Sequence, residues 1–476
     1  MNVESSFSFV EKENVKNSPN VKITGNNCEE TPIQKAKKTK KLVLRGMQLT
    51  NLPHSRIQSL VMLVELNLDN NRLSALPNSL KSLSLLQSFS AKCNLFQIFP
   101  EVICSLHNLR EVDLSFNSIT QLSMDIKSLR NLQILNISNN QLISLVEEVS
   151  RLSELRELYL QSNLLKNLPS DLSGMKSVSQ ISLQDNKINK VPKKWPACIK
   201  TIDLSDNNLN SLHATDLFRN TSLEYLDLSS NQIDYIASFH SCMPLKKLSL
   251  SDNRLKDVSF ALELQNLEFL NMARNELTCL PPEICLLSHS LVHLVLNNNH
   301  ISSLPTSIGS LESLSFLDLS FNQIQTLPKQ VCLLTSLREL NLRHNQISSI
   351  PLKLSKLPFL KKIDIQNNYS LVETSPIHPP APPANIITQL TNHISPRRSN
   401  RMETSFQTTP ISSRERFVVP VSNESLQQSF VQQNFTQQGL HSGEEEAELL
   451  IDNTKLILAA SVLLFAGTLF LFWRRK

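Results

Sequence analysis

The stretch Leu155–Pro169, LRELYLQSNLLKNLP, decides the fold, because its pattern L-x-x-L-x-L-x-x-N-x-L-x-x-L-P returns along most of the chain. Its asparagine is a ruler. Asn71, Asn94, Asn117, Asn140, Asn163 and Asn186 follow one another at steps of 23 residues. A step of 21 leads to Asn207, and Asn231, Asn253, Asn275, Asn299, Asn322, Asn345 and Asn368 continue at steps of 22 to 24. A period near 23 held over this many turns is the mark of a solenoid built from stacked repeats.

The last two leucines of L-x-x-L-x-L lie two residues apart, so in an extended strand both point to one side, toward the core. Asparagine suits the corner that follows, since its short amide can bond backbone groups leaving the strand and repeat those bonds at every level. Return segments such as LPNSLKSLSLL and LPTSIGSLESL add apolar residues every three or four positions, which predicts short helical or 3₁₀ turns behind the sheet. One repeat cannot bury these leucines alone, whereas stacking buries them between neighbours. The expected fold class is an α/β solenoid with a parallel β-sheet on its concave side and some 15 turns from Met47, which takes the asparagine place in an atypical first repeat, to Asn368.

The repeats account for residues 40–372 of 476, and composition narrows the rest. Hydrophobic content of 40% supports a continuous core, while 7 glycines leave no phosphate-binding loop of the G-x-x-x-x-G-K or G-x-G-x-x-G kind. A net charge of +5 on so long a chain does not point to nucleic acid. The 8 cysteines show no zinc spacing, and Cys104, Cys285 and Cys332 stand at matching places in PEVICSL, PPEICLL and PKQVCLL, where they are expected to face the core. No catalytic constellation, metal site, cofactor or small-molecule substrate is expected.

Runs such as LPTSIGSLESLSFLDLSFNQIQTLP resemble the intracellular leucine-rich repeat proteins, in particular the Scribble-type and Ras-binding scaffolds. The resemblance covers about two thirds of the chain. It implies a horseshoe that binds protein partners, and, since extracellular members usually carry disulfide-bonded caps that this chain lacks, a reduced, cytosolic compartment. The chain departs from the regular pattern between Trp195 and Val258, where Leu-Pro is absent.

With the leucines inward, the residues alternating with them face the groove. In five successive repeats one of these is Tyr225, Lys247, Phe269, His293 and Phe316, with Val295 beside them and Glu339 and Arg343 at the edge. Large apolar side chains on a solvated sheet read either as a recognition patch or as lateral packing across strands, the latter stabilising by about 0.2–1 kcal/mol per pair. These eight residues form the expected partner-binding site. Glu65, Asp69, Glu111 and Asp113 read as a solvated acidic surface that could steer a basic partner. Lys256–Phe260, KDVSF, fits a short consensus for docking on a phosphatase catalytic subunit, although Val258 occupies a core place.

Outside the repeats, residues 1–39 are polar and are expected to be unstructured, with no secretory signal. Residues 373–455 read as a Pro, Ser and Gln-rich disordered linker with a reach of about 50 Å. Ser375, Ser395 and Thr409 each precede proline and are candidate phosphorylation sites. The uncharged run Leu456–Trp473, LILAASVLLFAGTLFLFW, is long enough to be a transmembrane helix, and Arg474, Arg475 and Lys476 follow it. The expectation is a tail-anchored, single-pass protein with its repeats in the cytosol, at the mitochondrial outer membrane or endoplasmic reticulum, acting as a scaffold. The alternatives are a cell-surface receptor, whose sequons at Asn136, Asn220, Asn423 and Asn434 would carry glycans, and a regulatory subunit of a small GTPase or phosphatase.

Overall fold

The computed structural model describes residues 32–368, apart from 53–56 and 214. The linker, the run Leu456–Trp473 and the sites Ser375, Ser395 and Thr409 lie outside the described residues. Among the described residues no helix is long and apolar enough to cross a membrane.

Fifteen three-residue strands form one parallel sheet, from Lys41–Val43 to Lys362–Asp364, each pairing with its neighbours in the sequence of repeats. Every strand reads x-apolar-x, and its central residue is buried: Leu66, Leu135, Leu270 and Leu317 are typical. The leucines before and after the strand join it, so that one continuous core runs from Ala36 to Ile365.

The asparagines supply the corner that the sequence implies. In the repeat of Asn163, Oδ1 accepts the Leu142 N–H of the preceding repeat at 2.9 Å. Its Nδ2 donates backward to the Ile137 carbonyl at 2.9 Å and within its own repeat to Leu160 at 3.0 Å. The same set recurs at each ruler asparagine from Asn71 to Asn368. The residue before each asparagine is left-handed, with φ between +52° and +57° at Asp206 and Asn367 and the rest within those bounds. That conformation costs a non-glycine residue about 1 kcal/mol, and the amide bonds hold it. In the first repeat, where Met47 cannot make them, Gly46 before it is left-handed at φ +70°, and Gln48 after it at +54°.

The expected 3₁₀ turns form behind the sheet, and a proline after an apolar residue starts six of them. Pro77, Pro100, Pro281, Pro305, Pro328 and Pro351 each stand just before a turn, with φ between −73° and −60°. Proline presets that angle and gives up no bond, because the first N–H groups of a turn have no partner. Gly309 marks a close approach, since a Cβ there would stand 2.4 Å from the Gln330 carbonyl oxygen of the next turn. Between Arg151 and Thr215 no 3₁₀ turn is present, and an ion pair of Lys194 with Asp171 at 3.0 Å links two returns. Beyond it Phe218, Phe239 and Phe260 stack edge to face at 4.8 and 6.1 Å between centroids. The departure seen in the sequence is therefore confined to the returns, while the sheet runs through it in register, Gln180 against Thr201 against Tyr225.

Three expectations are corrected. Residues 32–39, placed in the unstructured segment, form the α-helix Pro32–Thr39, whose Ala36 enters the core and caps the first strand. Of the matching cysteines Cys104 is buried, whereas Cys285 and Cys332 are only half-buried, at the margin of the turns. Asn220 is itself buried, donating to the Pro196 carbonyl at 2.9 Å and accepting from the Ser222 N–H, so its amide has no room for a glycan in the folded chain.

Replacing Asn163 by alanine strands the buried Leu142 N–H, while the Ile137 and Leu160 carbonyls keep their bonds from Asn140 and Asn186. The expected cost is about 1–3 kcal/mol, read as a lowered urea midpoint together with faster hydrogen exchange at the Leu142 amide. An unchanged midpoint would show that water replaces the amide.

Candidate binding surface

The sheet register brings the expected site residues together. Tyr225 pairs with Lys247, Lys247 with Phe269, Phe269 with His293, His293 with Phe316, and Phe316 with Glu339. Strand alternation points their side chains away from the core, as it does for Leu270 and Leu317 in the opposite sense. The result is a ladder. The rings of Phe269 and His293 stack at 5.9 Å and 30°, and those of His293 and Phe316 at 5.9 Å and 31°. Lys247 Nζ lies 5.1 Å from the Tyr225 ring centroid, a cation–π contact. Burial between the two phenylalanines, and then the Lys247 charge, hold the His293 imidazole below its ordinary pKa. A neutral imidazole keeps the ladder apolar at neutral pH.

Val295 stands one row over, in register with Asn271 and Asp318, and is half-buried. Glu339 is drawn away from the ladder by Lys362 at 3.6 Å. Arg343 is not on the strand at all: it lies in the turn that follows, exposed, with its N–H bonded to Asn341 Oδ1 at 3.2 Å. There it borders a second stack that the sequence reading passed over. Phe321 and His344, each the left-handed residue before its asparagine, stack at 4.3 Å and 14°, and Asn367 Nδ2 lies 2.8 Å from His344 Nε2. An aromatic immediately before the ruler asparagine was the available signal. Phe321 is 45% exposed.

The row between the two leucines holds a further feature. Asp203 and Asp227 are register partners on neighbouring strands, and both are buried. Each uses one oxygen to accept the N–H two residues on, from Ser205 at 3.0 Å and from Ser229 at 2.9 Å. Burial, with the Asp203 charge beside it, pushes the Asp227 carboxyl up to about 7. Two carboxylates sharing so little water cannot both ionise cheaply.

The acidic stretch is not the free surface that the sequence suggested. Glu65 is paired with Lys41. Asp69 accepts from Ser90 Oγ, the Lys92 N–H and Asn67 Nδ2. Asp113 is largely buried, its pKa raised by that burial. Glu111 alone stays on the surface. KDVSF is closed as well, with Val258 and Phe260 in the core. His289 and His293, four residues apart, would share a face only on a helix, and His293 is in a strand; among the described residues no cluster of three metal-ligating side chains exists.

A sheet of stacked strands with a recurrent asparagine corner and 3₁₀ returns defines a repeat protein whose sheet keeps one open face. Leucine-rich repeat profiles match residues 107–165, 130–188, 176–233 and 198–255, a two-copy profile matches 245–283 and 335–378, and a single-repeat profile 62–83 and 290–311. Together these stretches cover more than half of the chain, which belongs to the leucine-rich repeat family. Among curated proteins it is 36% identical over 128 residues to a probable serine/threonine-protein kinase, pats1, of Dictyostelium discoideum, covering 25% of this chain and 4% of that one. It is 39% identical over 87 residues to human lumican, covering 18% of this chain and 25% of that one. The chain thus spans a quarter or less of the length of these relatives. Among solved structures, a leucine-rich repeat protein of Leptospira interrogans is 29% identical with a TM-score of 0.57, over 70% of this chain and 93% of that one. YopM of Yersinia enterocolitica is 25% identical with a TM-score of 0.53, over 70% and 66%.

Asparagine fills the Asp227 place in other strands, at Asn136, Asn271 and Asn341, and makes the same bond to the N–H two residues on. Asp227→Asn should therefore keep the fold and remove the ionisation. Because the folded carboxyl sits above its unfolded value of 3.8, its contribution is full below that value and is lost as pH rises through about 7. The variant is expected to gain about 2 kcal/mol over the parent near pH 8 and much less near pH 4, measured by urea melts at the two pH values. A gain independent of pH would exclude the ionisation as its cause.

Proposed function

We propose that this leucine-rich repeat protein is a membrane-tethered scaffold that captures a protein partner on the open face of its sheet. Repeat surfaces of this family serve protein–protein interaction, and the observation that carries the proposal is the ladder Tyr225–Lys247–Phe269–His293–Phe316. Lateral stacking covers the ring faces that meet along the ladder, but it leaves the outer ring edges toward solvent. Rigid aromatic side chains fixed by a sheet bind at low entropic cost, which is why such residues dominate interfaces. Val295, Glu339 and Arg343, with Phe321 and His344, form the border of the patch. The mechanism is recognition and raised local concentration, without bond chemistry.

The tether in this proposal is the uncharged run Leu456–Trp473, inserted as a tail anchor with the repeats left in the cytosol, at the mitochondrial outer membrane or endoplasmic reticulum. Likeness to Scribble-type and Ras-binding scaffolds supports an intracellular signalling role. The committed amide of Asn220 argues against a glycosylated receptor at that sequon.

Two measurements test the proposal. Phe269→Ala with Phe316→Ala should leave the melting curve within about 1 kcal/mol of the parent and reduce capture of cross-linked cellular partners by at least about 10-fold. Undiminished capture would move the site elsewhere on the molecule. With tags at both ends, protease added to intact organelles should digest the amino-terminal tag and spare the carboxyl-terminal one; protection of the repeats would make this a receptor instead.

A further inference from the structure

The last turn of the solenoid differs from the others in chemistry. Its return is the 3₁₀ turn Leu352–Lys356, and the stretch from Pro351 to Ile363, PLKLSKLPFLKKI, contains four lysines and no acid. Two exposed places carry large apolar side chains here together. Leu352 opens the 3₁₀ turn where Glu101, Met124, Glu147, Thr306 and Lys329 open theirs, and at 89% it is more exposed than Met124 at 63%. Phe359 stands three residues before its strand, where Met62 and Leu85 are also apolar and where Asn108, Asn131 and Ser313 bond the carbonyls of Ser84, His107 and His289 in the turns before them. Phe359 makes no such bond and is 58% exposed.

The lysines are equally unspent. Lys362 meets Glu339 at 3.6 Å, while Lys353, Lys356 and Lys361 pair with no acid among the described residues. Lys361 follows Phe359 by two residues, and its N–H bonds the carbonyl of Arg338, another exposed cation just ahead of the strand Glu339–Asn341. The turn thus presents two large apolar side chains among a cluster of positive charges at the end of the solenoid from which the chain continues.

We infer that this last turn is a contact surface for an anionic lipid bilayer. Leucine and phenylalanine set among lysines are the composition by which peripheral segments lie on such a surface, the apolar groups entering the headgroup region and the ammonium groups meeting lipid phosphates. The inference rests on the proposed tether. The apolar run Leu456–Trp473 follows Asn368 after 87 residues, so the last turn is the part of the solenoid nearest in sequence to the proposed tether. A bilayer contact here would leave the open face of the sheet free for its partner, since the turn and the ladder lie on different parts of the repeat.

The test separates the turn from the tether. The full chain is made with its apolar run broken by Leu463→Arg and Leu464→Arg, and is sedimented with phosphatidylcholine vesicles with and without phosphatidylserine. It should pellet with the anionic vesicles only. Adding Lys353→Glu, Lys356→Glu and Lys361→Glu should weaken that association by at least about 100-fold, and Leu352→Ser with Phe359→Asn by at least about 10-fold. Circular dichroism should match the parent in each case, because these side chains are exposed. No pelleting with anionic vesicles, or pelleting indifferent to the substitutions, overturns the inference. The unbroken chain is tested alongside for resistance to alkaline extraction from membranes. Resistance there with no pelleting of the broken chain leaves the tether and removes the turn; the opposite pair of results removes the tether and leaves the turn.

Discussion

Everything in this molecule depends on the side-chain amide of one asparagine per repeat. Stacked strands could slide against each other, since leucine faces are alike from level to level and dispersion has little direction. The amide removes that freedom. Asn94 holds Leu73 N–H of the repeat before it, the Leu68 carbonyl of that same repeat, and the Ala91 carbonyl of its own. Each is buried, so a slip of one residue would strand several polar groups at about 1–3 kcal/mol apiece. The hydrophobic effect supplies the stability and the asparagine supplies the register.

Register is what turns a repeating sequence into a surface. Once Phe269, His293 and Phe316 are fixed at one height on neighbouring strands, their rings must meet, and a row of substitutions in sequence becomes a row of contacts in space. The same rule places Asp203 beside Asp227 on neighbouring strands. It also explains why the middle repeats tolerate different returns. Loss of the 3₁₀ turn between Arg151 and Thr215, and of Leu-Pro beyond it, changes only the outer layer, where the phenylalanine stack then packs behind the sheet, while Asn207 and Asn231 keep their bonds to the sheet.

The sheet, its strand count and the ladder were legible in the sequence because each follows from a period and an alternation. What was not legible depends on the third dimension. Glu65 and Asp69 read as solvated acids, yet Lys41 and Ser90 of neighbouring strands claim them, and no spacing within one repeat reveals a partner in the next. Arg343 seemed to flank the ladder because it follows Glu339 closely, but the left-handed turn carries it off the strand toward Phe321 and His344. The helix Pro32–Thr39 escaped notice because its lysines dominate the composition, and only Ala36 shows the face that packs.

The acceptor place between the two leucines shows how such a scaffold changes its surface without changing its fold. The backbone there asks for one oxygen to receive the N–H two residues on, and Asp and Asn provide it equally: Asp318 holds Ser320 at 2.9 Å and Asn136 holds Ser138 at 3.1 Å. The choice between them is therefore free as far as the turn is concerned, and it sets the charge of the open face. Where a single aspartate stands among neutral neighbours, as at Asp113 between Ser90 and Asn136, burial is the main cost of its charge. Where two stand side by side and buried, as at Asp203 and Asp227, the charge costs stability that asparagine would not, and the turn gives no reason for it. The pair adjoins the Tyr225 and Lys247 end of the ladder, so an avoidable penalty lies beside the row of rings on the open face.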